Sequence, residues 1–307
     1  RIAMIEFLKS HNVDEKLIED LLHFRKFYDN KEENLLRIPK PRFYYYGREV
    51  WNMAIAALLE GEHILISGPK ATGKNVLADN LACAFNRPAW TVSFHVNTDS
   101  SALIGTDTFV DNRVDLRKGS VYQCAENGGF GIFDEINMAK NDAVAVLHSA
   151  LDHRRIIDVP GYDKIYLNEA TRFIGTMNYG YAGTKELNEA LVSRFMVIDI
   201  PPMTKSKLTK ILLSEFPNLN EEYLEQFSGL FLDLQLKSQN SEISTKAVDL
   251  RGLIGALRTI NRGLEPLLAV KMGILGKTFD EFEKEIISDV IELRIPKSLG
   301  KEDIFRL

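Results

Sequence analysis

HILISGPKATGKNVLADNLACAF, residues 63–85, decides how the rest of the chain is read. A short apolar run, a glycine-bearing loop and a stretch with apolar residues at helical spacing follow one another, which predicts strand, loop and helix. The loop GPKATGKN at 68–75 matches the phosphate-binding pattern G-x-x-x-x-G-K-[ST] at every fixed place but the last, where Asn75 stands in for a hydroxyl residue. Gly68 and Gly73 let the backbone curl so that successive N–H groups point inward at phosphate oxygens. The following helix adds its positive end, and Lys74 reaches the phosphates. The residues expected to hold a nucleotide are Gly68, Pro69, Lys70, Ala71, Thr72, Gly73, Lys74, Asn75 and Val76.

Outward from this unit the pattern continues. WTVSFHV at 90–96, GFGIFDE at 129–135 and TRFIGTMN at 171–178 read as further strands with helical segments between them. Strands interleaved with helices predict an α/β fold, a parallel sheet covered by helices on both faces. Residues 1–36 read as two helices, and IPKPRFYYYG at 38–47 is a Pro-bounded aromatic linker before a helical pattern from Arg48 to Leu59. After the Pro-Pro pair at 201–202 the pattern is helical through 204–290. The expected organisation is an N-terminal helical extension and linker (1–40), an α/β nucleotide-binding domain (41–202), and a smaller all-helical domain with a C-terminal tail (203–307).

The apolar run GGFGIFDE ends in Asp134 and Glu135. In a phosphate-loop ATPase an acid at this strand end holds Mg²⁺, and the next carboxylate polarises the attacking water. Asp134 is therefore the expected magnesium residue, with Asn75, and Glu135 the expected base. Asn178, closing the apolar strand GTMN, offers an amide donor and acceptor that could orient that water. Arg194, in ELNEALVSRF, is a guanidinium suited to charge developing on a γ-phosphate. Taken singly, each of these has a plain alternative: solvated turn acids, a turn before Tyr179-Gly180, a surface ion pair.

The bulk properties narrow the classes. The chain has 307 residues, 45% hydrophobic and 26% charged, with a formal net charge of -5. No apolar run reaches the ~18 residues a membrane span needs. The charge gives no reason for the molecule to seek polyanions, so nucleic acid is not the expected partner. Only Cys83 and Cys124 are present, without a C-x-x-C, and no charged-then-apolar leader follows Arg1, so a cytoplasmic setting is expected. His148 and His153 lie in VLHSALDHRR without a third ligand at a recognisable spacing, which argues for a helix there rather than a metal site.

The ordered set GPKATGKN, FDE, TMN and NEALVSRF resembles an AAA+ ATPase of the dynein-related type, and the phrasing of the last two motifs resembles its MoxR branch. The resemblance covers roughly residues 46–290. It extends through DSSALIGTDTF (99–109) and KGSVYQCAENGGFGIFDEIN (118–137), where that branch carries a small inserted hairpin facing the ring pore. The resemblance implies a phosphate-loop AAA+ domain with a helical lid and, as cofactors, ATP with Mg²⁺. It implies Asn178 as first sensor and Arg194 as the finger reaching a neighbouring subunit's nucleotide. For the second sensor it implies Arg251, with Lys246 and Arg258 as alternatives, and it places Tyr45 to Arg48, Tyr46 and Gly47 above all, near the adenine. It further implies a homo-oligomeric ring, a hexamer, whose site is completed between subunits. Similar proteins are chaperone-like remodellers that mature or insert cofactors into a client complex, often with a von Willebrand factor A domain partner.

Two other functions remain open at this stage. A nucleic-acid motor using ATP or GTP would draw on Arg113, Arg117 and Lys118 in the inserted segment. A nucleotide-binding scaffold with little turnover would follow from Asn75, although an asparagine carbonyl is itself a hard ligand suited to magnesium.

Overall fold

The computed structural model describes residues 2–179 and 186–306. These fall into two compact units, one of residues 2–68, 73–179 and 186–200, the other of 69–72 and 201–306.

The first unit contains nine strands, β1 (Ile64–Gly68), β2 (Ala89–Ser93), β3 (Gly105–Val110), β4 (Arg113–Lys118), β5 (Phe130–Asp134), β6 (Ile156–Ile157), β7 (Ile165–Tyr166), β8 (Arg172–Asn178) and β9 (Met196–Asp199). Five of them form one parallel sheet in the order β2-β5-β8-β1-β9. Successive side chains on a strand point to opposite faces, so the buried strands send alternate residues into two cores. Ile64, Ile66, Phe130, Ile132 and Ile174 share one core with Leu8, Leu21, Phe24, Trp51 and Leu81 of the helices. Leu65, Phe133 and Phe173 belong to the other, with Val121, Val144 and Leu191. Both faces are thus covered, and fully burying each such Ile, Leu, Val or Phe side chain contributes about 1.5–3 kcal/mol. Gly131 leaves room for Phe173, since a Cβ there would lie 2.4 Å from its ring.

The helices that cover the first face begin at the N-terminus. Met4–Ser10 is followed by Glu15–Phe27, whose Asp14 cap accepts the N–H groups of Lys16 and Leu17 and whose apolar stripe Ile18, Leu21 and Phe24 is buried. A 3-10 turn at Glu32–Arg37 leads toward the helix Arg48–Leu59. Arg87, buried at 1% exposure, ties this region down by donating to Tyr28 O, Asp29 O and Gly128 O. His63 is a core histidine: its Nδ1 accepts the Phe173 N–H at 2.9 Å, and burial lowers its pKa to about 3, keeping it neutral.

The inserted hairpin implied by the resemblance is β3–β4, closed by Asp111 and Asn112, both at positive φ (51° and 60°) as a two-residue turn of the favoured twist requires. Phe109, Val110 and Val114 are exposed on it. β6 and β7 pair as a second, shorter hairpin.

The second unit is helical: Lys205–Glu215, Glu221–Gln239, Leu250–Arg262, Pro266–Gly273, Glu281–Arg294 and Lys301–Ile304. Thr204, Asn220, Asp249 and Asp280 cap the first three and the fifth of these by accepting backbone N–H bonds. Gly252 and Gly273 allow two of the helices to touch backbone to backbone, for a Cβ on Gly252 would meet Gly273 O at 2.1 Å. Among the described residues no helix is long and apolar enough to cross a membrane.

Candidate nucleotide site

The parallel register brings the carboxyl ends of β5, β8 and β1 side by side, the place where open α/β sheets hold ligands. Gly68 at the end of β1 pairs with Asn178 at the end of β8. β8 therefore stands between the strand that feeds the loop and the strand that carries the acids. Ala71 and Gly73 have positive φ, 61° and 88°, and the helix Lys74–Ala84 opens directly after Gly73. Its first N–H groups lack helical partners and form an anion-binding end. Lys74, 6% exposed, starts this helix. Burial lowers its pKa to about 8, while Asp134 and Glu135 pull it back up. A buried cation beside two carboxylates, at a helix N-terminus, suits a bound phosphate chain. Asn75 is exposed and Val76 half-buried in the same first turn.

The acids are held by β8. Thr176 Oγ1 donates to Asp134 Oδ1 at 3.0 Å and accepts the Glu135 N–H at 3.2 Å. Asn178 Nδ2 donates to Glu135 Oε1 at 3.1 Å. Glu135 itself has φ +51°, an unfavourable region for a non-glycine residue that turns the chain sharply after β5. One hydroxyl and one amide on a single strand thus orient both carboxylates.

Arg194 sits in a different set of contacts. Its guanidinium donates to His148 O at 3.1 Å and Ala190 O at 2.6 Å and pairs with Asp152 Oδ2 at 3.4 Å. Arg154 grips the same carboxylate, with Nη2 at 2.6 Å from Oδ2. Hydrogen bonding from Arg154, with Arg194 adding, holds Asp152 far below the usual carboxylate range. Arg155 turns inward to Asn168 O and Thr171 O.

Residues 63–195 match the AAA domain (dynein-related subfamily). The Uncharacterized protein YojN of Bacillus subtilis (strain 168) is 32% identical over 78% of this chain and 80% of its own length. The chain belongs to the AAA family. The Uncharacterized protein SH1500 of Staphylococcus haemolyticus (strain JCSC1435) is 31% identical over 83% of this AAA chain and 98% of its own. A solved Thermotoga maritima RuvB mutant overlays 86% of this chain and 71% of its own with a TM-score of 0.49 at 16% identity.

Other expected site residues of this AAA protein are placed as follows. Arg251 is exposed in the first turn of Leu250–Arg262, behind the Asp249 cap, while Arg258 pairs with Glu215 at 2.6 Å. Tyr46 packs edge-on against Phe7 and His11, and Gly47 donates its N–H to His11 Nε2 at 2.9 Å. Tyr45, beside them, lies with its ring 3.4 Å from where a Cβ on Gly73 would be. Sequence reasoning missed Thr176 and Asp152. Thr176 had a visible signal, a hydroxyl in an otherwise apolar strand; Asp152 meets Arg194 only through packing between segments distant in sequence.

Proposed function

We propose that this AAA protein is a magnesium-dependent ATPase of MoxR type, assembling as a homo-oligomeric ring to remodel a protein client. The observation that supports it most is the meeting of Lys74 with the Asp134–Thr176–Glu135–Asn178 network at one end of the sheet. ATP would lie on residues 68–76, its phosphates against the helix N-terminus and Lys74. Asp134, with Asn75 as a second candidate ligand, would hold magnesium, which supplies positive charge to the phosphate oxygens. Glu135, oriented through Oε1 by Asn178, takes the proton of an attacking water. Burial deprives Lys74 of water, so a phosphate anion restores the favourable state of its charge.

Arg194 acts in this reading on a neighbouring copy's nucleotide, and Arg251 serves as the second sensor. A hexamer, a cytoplasmic setting, a von Willebrand factor A domain partner and a chaperone-like role in maturing a client complex follow from the MoxR resemblance. The exposed apolar positions of the β3–β4 hairpin suit contact with an unfolded or protein client better than with a polyanion.

Phosphate release from ATP, with and without Mg²⁺, in the wild type and in Asn75→Thr tests this. Magnesium-dependent turnover in the wild type, modestly raised at low magnesium in Asn75→Thr, is the expected result. Turnover found only in Asn75→Thr would replace the ATPase by a nucleotide-dependent scaffold.

A further inference from the structure

We propose that His11, the residue that closes the helix Met4–Ser10 and lies outside the matched residues 63–195, is a positioning residue for the nucleotide loop. The inference rests on the nucleotide reading above. Gly47 is the cap residue of Arg48–Leu59, so its N–H has no partner within that helix. His11 Nε2 supplies one at 2.9 Å, with the His11 ring stacked on Phe7 at 5.2 Å and 15°. An accepting Nε2 places the ring proton on Nδ1.

From Gly47 the coupling passes to Tyr45. A Cβ on Gly47 would lie 2.7 Å from Tyr45 Cε1, so the Gly47 backbone lies directly against that ring. The Tyr45 backbone is fixed on both sides: its N–H donates to Asn80 Oδ1 at 2.9 Å, and its carbonyl accepts from Trp51 Nε1 at 2.8 Å. Asn80 is fully buried and lies on the helix that the phosphate loop opens. With the backbone pinned, the ring has few places to go, and its other edge lies 3.4 Å from where a Cβ on Gly73 would be. Gly73 carries the +88° turn that starts the helix at Lys74. The path His11, Gly47 N–H, Tyr45 ring, Gly73 therefore joins the N-terminal helices to the last turn of the loop.

Losing the imidazole acceptor frees the Gly47 peptide to rotate, lets the Tyr45 ring shift and loosens the Gly73 turn. The test is the affinity for ADP by titration calorimetry, with KM and kcat for ATP, in the wild type and five variants. His11→Ala is expected to bind ADP about three- to tenfold more weakly, the worth of one hydrogen bond, and to raise KM with kcat nearly unchanged. His11→Gln, whose Oε1 reaches the place of Nε2, restores wild-type affinity; His11→Asn, which reaches only the place of Nδ1, does not. Asn52→Ala removes the acceptor of the Asp14 N–H, loosening the same helices elsewhere, and leaves ADP affinity unchanged. Unchanged affinity in His11→Ala, equal weakening in Asn52→Ala, or failure of His11→Gln to recover overturns the proposal. Lys74→Ala separates the two levels: it abolishes ADP binding if the nucleotide reading holds. A wild type that binds no ADP removes that reading and this inference together.

Discussion

Replacing Lys74 by Met should make the nucleotide-free protein more stable. The ammonium is buried at 6% exposure, and its pKa falls from 10.5 to about 8, with burial the largest cause. The sign follows from linkage: the unfolded chain binds the proton more tightly than the folded one, so the group costs stability wherever it is charged in both states. The cost is full below about pH 8, shrinks as pH rises, and vanishes near 10.5. At 1.36 kcal/mol per pKa unit the ceiling is ~3 kcal/mol, reduced by whatever contacts the ammonium makes. Methionine keeps most of the stem's volume without the charge. Calorimetric melts of wild type and Lys74→Met at pH 7, 8, 9 and 10 test this. The variant should melt several degrees higher at pH 7, with the gap closing toward pH 10, and ADP should raise the melting temperature of the wild type alone. A variant less stable than wild type at pH 7, or a gap that does not close with pH, would refute the reasoning.

Three further outcomes follow from the same geometry. Thr176→Val strips the partner from both Asp134 Oδ1 and the Glu135 N–H, so kcat should fall at least tenfold with a stability loss of about 1–3 kcal/mol, read by turnover and melts. Asp152→Asn weakens the grip of Arg154 and Arg194, whose pairing depresses the Asp152 pKa; the lost stability should be present at pH 7 and shrink as pH falls below 3.8. Melts of both proteins across that range decide it. Gly131→Ala forces a methyl to within 2.4 Å of the Phe173 ring and should cost about 1–3 kcal/mol in denaturant unfolding, with ADP affinity unchanged.

The strands and the loop were legible because their signals are local. The apolar run ahead of GPKATGKN and the acids closing GGFGIFDE mark β1 and β5 within a residue or so of their observed bounds. β9 was not legible. Met196 and Val197 are half exposed at a sheet edge, so the four-residue strand lacks the buried apolar run that marks the others. The strand order was also hidden, since nothing in the spacing of the motifs says that β8 lies between β1 and β5. That order puts Asn178 beside Glu135 and makes Thr176 the bridge between the acids. The grip of Asp152 on Arg194 and of His11 on Gly47 depends on packing between distant segments, which no periodicity reports.

The most direct test of the central claim is ATP turnover by Glu135→Gln alongside its affinity for ATP. The amide keeps the side chain's shape and an oxygen for Asn178 while removing the base. The account predicts that phosphate release falls by about 10²–10⁴-fold while ATP still binds. Turnover equal to wild type would contradict it, because Glu135 would then have no part in the chemistry.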